Sequence, residues 1–302
     1  MDIKKIEGLK GKLRSTYTTV EKALFYCMSQ YDILNLTESC KKLVEYVQDY
    51  YNQYIQTLLN QPEKLIVKTD TLSRLFTIYK GSMIEISGQP GSGKSELVLK
   101  FVKEILENNP DFKAILIYTE SSFKAVRLKQ VIPNELMTRL KVVSAFDPIS
   151  FEDTIDKLID ENKNEKNILI TIDSLTAPYS SLSSRSTLAM RQQRMLLTLK
   201  LLNFFILLNE GVLIYTTQVR AIPNAQYGRP QYDRTGGYVI QHLPTIALML
   251  SKKTDNSGVI KILDADYMGT GKIGYYEITD SGFIVLDEDE TEKEDEEPEE
   301  EE

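Results

Sequence analysis

The chain has 302 residues, 42% of them apolar and 26% charged, with a formal net charge of −8; this is the composition of a globular protein of one large domain or two. No apolar run approaches the roughly 20 residues that a membrane crossing needs, and the start Met1-Asp2-Ile3-Lys4-Lys5 has no apolar signal core, so an intracellular protein without a membrane partner is expected, cytoplasmic or nucleoid-bound in a prokaryote and nuclear in a eukaryote. Only Cys27 and Cys40 are present, too few ligands for a zinc site, and they read as reduced, buried thiols of a reducing compartment.

Residues from about 15 to 60 read as helical, with the form of a capping box at Asn35-Leu36-Thr37-Glu38. Beyond it Leu43, Val47, Tyr50, Tyr54 and Leu58 recur at three- and four-residue steps, which places them on one helix face. Seven of the 17 tyrosines lie between Tyr17 and Tyr54. Such a stripe is read as core packing with hydroxyls reaching water, a partner-binding face being the alternative. Gln61-Pro62-Glu63-Lys64 breaks the helix. A domain boundary is expected there, with a helical N-terminal domain over residues 1–64.

From Leu65 on, strands and helices alternate, which predicts an α/β core with a mostly parallel sheet covered on both faces. Strands are expected at Met83–Ser87, Ala114–Tyr118, Ile168–Asp173 and Val212–Thr216, followed by extended segments at Ile246–Leu250, Val259–Ala265 and Gly274–Ile278 that finish one edge with antiparallel pairing. The first strand runs into Gly88-Gln-Pro-Gly91-Ser92-Gly93-Lys94-Ser95, and a helix follows from Glu96. This fits G-x-x-x-x-G-K-[ST], the P-loop, at every fixed position. Its glycines let successive N–H groups turn inward around phosphate oxygens, so Gly88, Gly91, Ser92, Gly93 and the first helical residues through Glu96 are assigned to the ligand. Lys94 would reach the β/γ-phosphates, Ser95 would ligate Mg²⁺, and the helix dipole would favour the anion. The ligand class is a nucleoside triphosphate with magnesium.

The other strand tips carry the remaining chemistry. Ile168–Ile172 ends in Asp173, the Walker B arrangement that holds Mg²⁺. Ala114–Tyr118 ends in Thr119-Glu120; this strand is expected beside the P-loop, where the carboxylate would orient and deprotonate an attacking water. Val212–Thr216 ends in Thr217-Gln218, a neutral amide able to sense the γ-phosphate. All four groups are expected at the carboxyl edge of the sheet, where open α/β folds bind ligands.

Over residues 65–286 this arrangement resembles the RecA/RadA strand-exchange recombinases, most closely their archaeal and eukaryotic branch and its paralogues. Gly81-Ser82-Met83-Ile84-Glu85-Ile86-Ser87-Gly88 looks like the strand leading into that family's P-loop, Tyr118-Thr119-Glu120-Ser121-Ser122-Phe123 is similar to its Thr-Glu-Gly-Thr-Phe motif, and Asp173-Ser174 matches its Walker B. The resemblance implies a RecA-like ATPase core that takes ATP and Mg²⁺, with Glu120 as the base and Arg127 against the adenine. It also implies a second DNA-binding loop across Gln218–Pro223, Tyr227–Pro230 and Gly236-Gly237, carrying Arg220, Tyr227, Arg229, Tyr232 and Arg234. Arginines there can neutralise phosphates while rings stack on bases at ~1–3 kcal/mol each. Gly236-Gly237-Tyr238-Val239-Ile240-Gln241-His242 is similar to the family's Gly-Gly-x-x-x-x-His, which implies that His242 links nucleotide and neighbouring subunit. The first DNA-binding loop would fall within Tyr179–Met190, with Arg185 as its cation and Arg191 just beyond.

Three departures point to an accessory paralogue rather than the principal recombinase. Before Leu65 there is no helix-hairpin-helix glycine signature and no Phe-x-x-Ala, and Asp264-Ala265-Asp266-Tyr267-Met268 lacks the proline of the family's Asp-Ser-Pro-type cap. The expected activity is therefore a DNA-dependent ATPase of homologous recombination and repair, oligomeric with itself, with a RadA-type recombinase or with other paralogues. Alternatives are the principal recombinase with a divergent N-terminal domain, a non-hydrolysing ATP-bound scaffold, and a KaiC-like ATPase that does not act on DNA. From Asp287 to Glu302 there are 13 acidic residues and one lysine, a net of −12. Removing that −12 from the total of −8 leaves +4 for residues 1–286. The tail reads as a disordered polyanion that confers solubility or competes with nucleic acid.

Overall fold

The structure is a computed structural model, and it describes residues 6, 19–29, 38–120, 125–181, 188–221, 232–235 and 241–286. Most of the expected capping box at 35–38, the loop cation Arg185, the loop residues Tyr227 and Arg229, the paired glycines 236–237 and the acidic tail lie outside these residues.

Two helices come first, α1 (Val20–Ser29) and α2 (Glu38–Asn60). A short pair, β1 (Ile66–Val67) with β2 (Ile78–Tyr79), follows a single turn at Pro62–Leu65. The core is then β3 (Met83–Gly88), α3 (Lys94–Asn108), β4 (Lys113–Tyr118), α4 (Ala125–Val131), β5 (Leu140–Ser144), α5 (Pro148–Glu161), β6 (Ile168–Asp173), α6 (Leu188–Leu208) and β7 (Val212–Ala221). It ends with β8 (Tyr232–Arg234), β9 (Ile246–Lys252), β10 (Ser257–Ala265), β11 (Ile273–Thr279) and β12 (Gly282–Leu286).

The strands order as β12-β11-β10-β9-β3-β7-β6-β4-β5, with β8 added to the end of β7. Strands β9, β3, β7, β6, β4 and β5 run parallel, and β10, β11 and β12 extend the β9 side as an antiparallel meander. This is the mostly parallel sheet with an antiparallel edge that the sequence predicts. Every residue of β3 and of β6 is buried, as expected for strands covered on both faces. One face packs on α3 through Leu97, Phe101 and Ile105. The other packs on α5 and α6 through Phe151, Ile155, Leu199 and Phe205. Each such side chain contributes roughly 1.5–3 kcal/mol when fully buried.

Strand β4 does not lie beside the P-loop strand, contrary to expectation: β7 and β6 stand between them. Helix α3 carries the chain from β3 across to β4, and α5 and α6 bring it back through β6 to β7, so β7 and β9 become the immediate neighbours of β3.

The helices α1 and α2 dock on the end of α6, where Val20, Ala23, Leu24 and Leu43 form a small core with Leu208. Cys27 and Cys40 are joined there as a disulfide, Cα–Cα 5.7 Å, which corrects the reading as reduced thiols. Helices that pack only one face each bring the two buried sulfurs together, a proximity no spacing rule reveals. The tyrosine stripe is also corrected in part. Its residues do pack, but the Tyr50 hydroxyl donates to the Leu208 carbonyl at 3.3 Å and the Tyr54 hydroxyl to the Lys80 carbonyl, so these two reach main chain of the core rather than water. Lys166 adds a bond to Leu208 O at 2.8 Å and an ion pair with Glu210 at 3.1 Å. Farther along that edge Glu104, 2% exposed, accepts from the backbone N–H groups of Asp70, Thr71 and Leu72 and pairs with Lys100 at 3.0 Å. Burial pushes its carboxyl up, but Thr71, Lys100 and the Leu72 N–H outweigh that and hold it below the usual carboxylate range.

Candidate active site

The P-loop bends because Gly91 and Gly93 sit at φ 74° and 82°, conformations that cost other residues but not glycine. Gly93 is the N-cap of α3, so the first N–H groups of that helix have no partner within it. The loop is buttressed from the sheet. A Cβ on Gly88 would meet Leu250 O at 2.7 Å, and one on Gly93 would meet the Ile278 side chain at 2.8 Å. Below it Tyr276 donates to Ser92 O at 2.7 Å and stacks on Phe283, centroids 4.6 Å apart. The antiparallel meander is thus a floor for the loop, a role not visible in its sequence.

A cavity of about 370 Å³ opens at this point, lined by Pro90, Gly91, Gly93, Lys94, Ser95, Glu96, Glu120, Asp173, Gln218 and Ile278. It brings together all four groups expected at the carboxyl edge, contributed by α3, β4, β6 and β7. Lys94 Nζ donates to Gly88 O and Gln89 O at 2.9 and 2.8 Å. Burial pushes its ammonium down, and Asp173 and Glu120 oppose that. Asp173, 6% exposed, accepts from Thr216 Oγ1 at 2.6 Å, which fixes one oxygen and leaves the carboxylate aimed by its neighbour strand. Glu120 accepts from Ser174 Oγ at 3.2 Å. The parallel register explains the convergence: Tyr118 pairs with Asp173 and Gly88 with Gln218, so the ends of β3, β4 and β6 open on the same edge as Gln218.

These residues fit a nucleoside triphosphate with magnesium. Left-handed glycines at a helix N-terminus form an anion cradle, Lys94 supplies a mobile cation, and Ser95 with Asp173 supplies the hard oxygen donors that Mg²⁺ prefers.

A second cavity, about 270 Å³, lies beside the first and shares Glu120 and Gln218 with it. Arg191 from α6, Arg220 from the end of β7, Thr176, Ser180 and Thr235 line the remainder. Arg191 and Arg220, read from sequence as loop cations, therefore meet at the back of the catalytic candidates. Gln218 is not a strand tip, because β7 continues to Ala221 and pairs there with β8.

Other predicted residues sit differently. Arg127 forms a two-point pair with Glu96, both bonds 2.8 Å, and also donates to Thr279 O and Asp280 O at 2.8 Å. It ties the start of α3 to the β11–β12 turn. His242 is exposed on the turn before β9 and is not among the residues that line the phosphate cavity. Arg234, read from sequence as a loop cation, donates from Nη1 to Glu85 Oε2 at 2.6 Å, with side-chain exposures of 14% and 1%. Of Tyr232 only the backbone is described, in β8.

Sequence reasoning missed Glu85, Thr216 and Ser174. Glu85 left a signal, a charge in the middle of the apolar strand Met83-Ile84-Glu85-Ile86, where an acid persists only if paired.

The sequence model of the Rad51 family matches residues 38–286. The chain belongs to the Rad51 family. Similar curated relatives are the DNA repair and recombination proteins RadA of Aeropyrum pernix, 28% identical over 203 residues, of Metallosphaera sedula, 27% over 220, and of Ignicoccus hospitalis, 26% over 217. The matches cover 63%, 68% and 67% of this chain and 63%, 67% and 66% of those proteins. This Rad51-family chain therefore spans less than two thirds of the first relative's length. It has the RecA-like α/β core of that family. Among the described residues no helix is long and apolar enough to cross a membrane.

Proposed function

We propose that this chain is a DNA-dependent ATPase of recombination and repair, a recombinase paralogue that binds ATP and Mg²⁺ at Gly88–Ser95 and single-stranded DNA at its carboxyl edge. One observation carries the reading: Lys94, Ser95, Asp173, Glu120 and Gln218, drawn from four separate elements, line one cavity. A P-loop alone binds phosphate; a P-loop facing a carboxylate and an amide across the same cavity is equipped to hydrolyse it.

Ser95 and Asp173 would hold Mg²⁺, which when bound neutralises charge on the β- and γ-phosphates. Lys94 would leave its loop carbonyls for the phosphate oxygens, an exchange of neutral acceptors for anionic ones. Glu120 would take a proton from the attacking water, with Ser174 Oγ orienting the carboxylate. Gln218, common to both cavities, would report the state of one to the other, and Arg191 and Arg220 would take DNA phosphates. Loss of contact at Gln218 after hydrolysis would relax the DNA side. The relatives named RadA support the recombination setting, and a partner of RecA/RadA type, or a second copy of the chain, completes the assembly we propose. Helices α1 and α2, packed on the end of α6, act as a docked accessory.

The deciding experiment is ATP turnover titrated with single- and double-stranded DNA. Turnover that rises with single-stranded DNA and falls as salt is raised is the expected result. DNA-independent turnover, with no DNA binding at low salt, would overturn the assignment in favour of an ATPase that does not act on DNA.

A further inference from the structure

Glu85 lies three residues before Gly88, in the middle of the strand that feeds the P-loop, and is 1% exposed. Both of its oxygens are taken. Oε1 accepts from Thr217 Oγ1 at 2.7 Å and Oε2 from Arg234 Nη1 at 2.6 Å. Each donor is the chain neighbour of a residue that lines the second cavity. Thr217 precedes Gln218 on β7. Arg234 ends β8, pairs with Val219 and precedes Thr235. Thr235 in turn donates through N and Oγ1 to the Gln218 carbonyl at 2.9 and 2.6 Å, and Gln241 donates to Arg234 O at 3.1 Å. Gln218 is thus clamped through its neighbour Thr217, through its own carbonyl, and through the ladder of β8 on β7.

A buried ion pair adds little stability compared with apolar residues of equal size, because desolvation offsets the attraction. Its value lies in fixing geometry. Here it fixes the register of the strand that carries Gln218, which, with Glu120, lines both cavities. We propose that Glu85 and Arg234 are a positioning pair that locks β8 to the P-loop strand and so couples the Arg191–Arg220 cavity to the phosphate cavity through Gln218. Arg234 is then a transmission element rather than a DNA ligand. The inference rests on the DNA reading of that cavity given above.

The test is the ratio of ATP turnover with and without single-stranded DNA, alongside the melting temperature. The double variant Glu85→Gln/Arg234→Met removes both charges together, so that neither is left buried alone. Its ratio is expected to fall about tenfold, the size of an ordinary coupling between sites, while the melting temperature shifts by only a few degrees. Arg234→Lys keeps the charge and is expected to recover part of the ratio. A folded double variant with the wild-type ratio overturns the proposal. If the double variant does not fold, Thr217→Val, which removes one of Glu85's two donors, reads the same ratio, and a wild-type value there overturns it equally. A wild-type protein whose turnover ignores DNA defeats the underlying functional reading, and is told apart because no variant is needed to see it.

Discussion

The two edges of the parallel sheet are built from the same strands and finished in opposite ways. At the amino edge, polar groups are consumed by the fold itself. Tyr50 and Tyr54 satisfy the carbonyls of Leu208 and Lys80, Lys166 and Lys80 pair with Glu210, and Glu104 accepts from three successive N–H groups. At the carboxyl edge, Lys94 bonds only to its own loop, and Glu120, Asp173 and Gln218 face a cavity. The difference teaches how one sheet divides its labour. Hydrogen bonds made within the fold at one end supply rigidity, and polar groups turned toward a cavity at the other are free for a ligand, the usual division between scaffold and site.

Substitutions can break that contrast on either side. The largest effect belongs to the carboxyl edge. Glu120→Gln is expected to cut ATP turnover by about 10²–10⁴-fold with ATP still bound and the melting temperature nearly unchanged; turnover at the wild-type rate would remove Glu120 from its role. At the amino edge, Cys27→Ser/Cys40→Ser should cost about 3 kcal/mol of stability, the loop-closure value for a short loop, and leave the ATP rate in place. Equal denaturation midpoints with and without reductant would mean that the bridge contributes nothing.

Glu104→Gln comes next, at roughly 1.5–3 kcal/mol for the loss of charged hydrogen bonds. Its pH signature is specific. The folded carboxyl lies below its unfolded value, so the stability it contributes is complete above the unfolded value and is lost as pH falls through the folded one. Urea unfolding from roughly pH 6 to 3 should therefore decline less steeply in the variant than in the parent; parallel curves would refute the assignment. Tyr54→Phe is the mildest, at about 1 kcal/mol. Burial first, and then Tyr51 and Tyr50, push its hydroxyl up to about 12, so it remains a donor to Lys80 O throughout the neutral range. A change in DNA-stimulated turnover without a change in melting temperature would show that the amino edge is part of the site after all.

The residues that line the first cavity were legible because each is marked locally. Gly88–Ser95 are contiguous, and Glu120, Asp173 and Gln218 each follow a short apolar run whose direction in a parallel sheet is known in advance. Strand β5 and the closing strand β12 were not foreseen, β5 because it is an edge strand that leaves Lys141 and Val142 exposed and so lacks a buried strand's continuous apolar run. The partner of Arg234 was hidden for a related reason: an arginine among tyrosines and glycines looks solvent-facing until a buried acid 149 residues away is seen to pair with it.

By itself, then, the sequence determined the P-loop motif, the mostly parallel core with its antiparallel edge, and the family resemblance. These depend on short motifs and on periodicity, which survive in one dimension. The tertiary structure alone decided strand order, which put β7 and β6 between the P-loop strand and the strand of Glu120. It also decided the Cys27–Cys40 bridge, the tyrosine contacts with the core and the Glu85–Arg234 pair. Those are pairings between distant segments, and their partners are chosen by which apolar faces must be buried together.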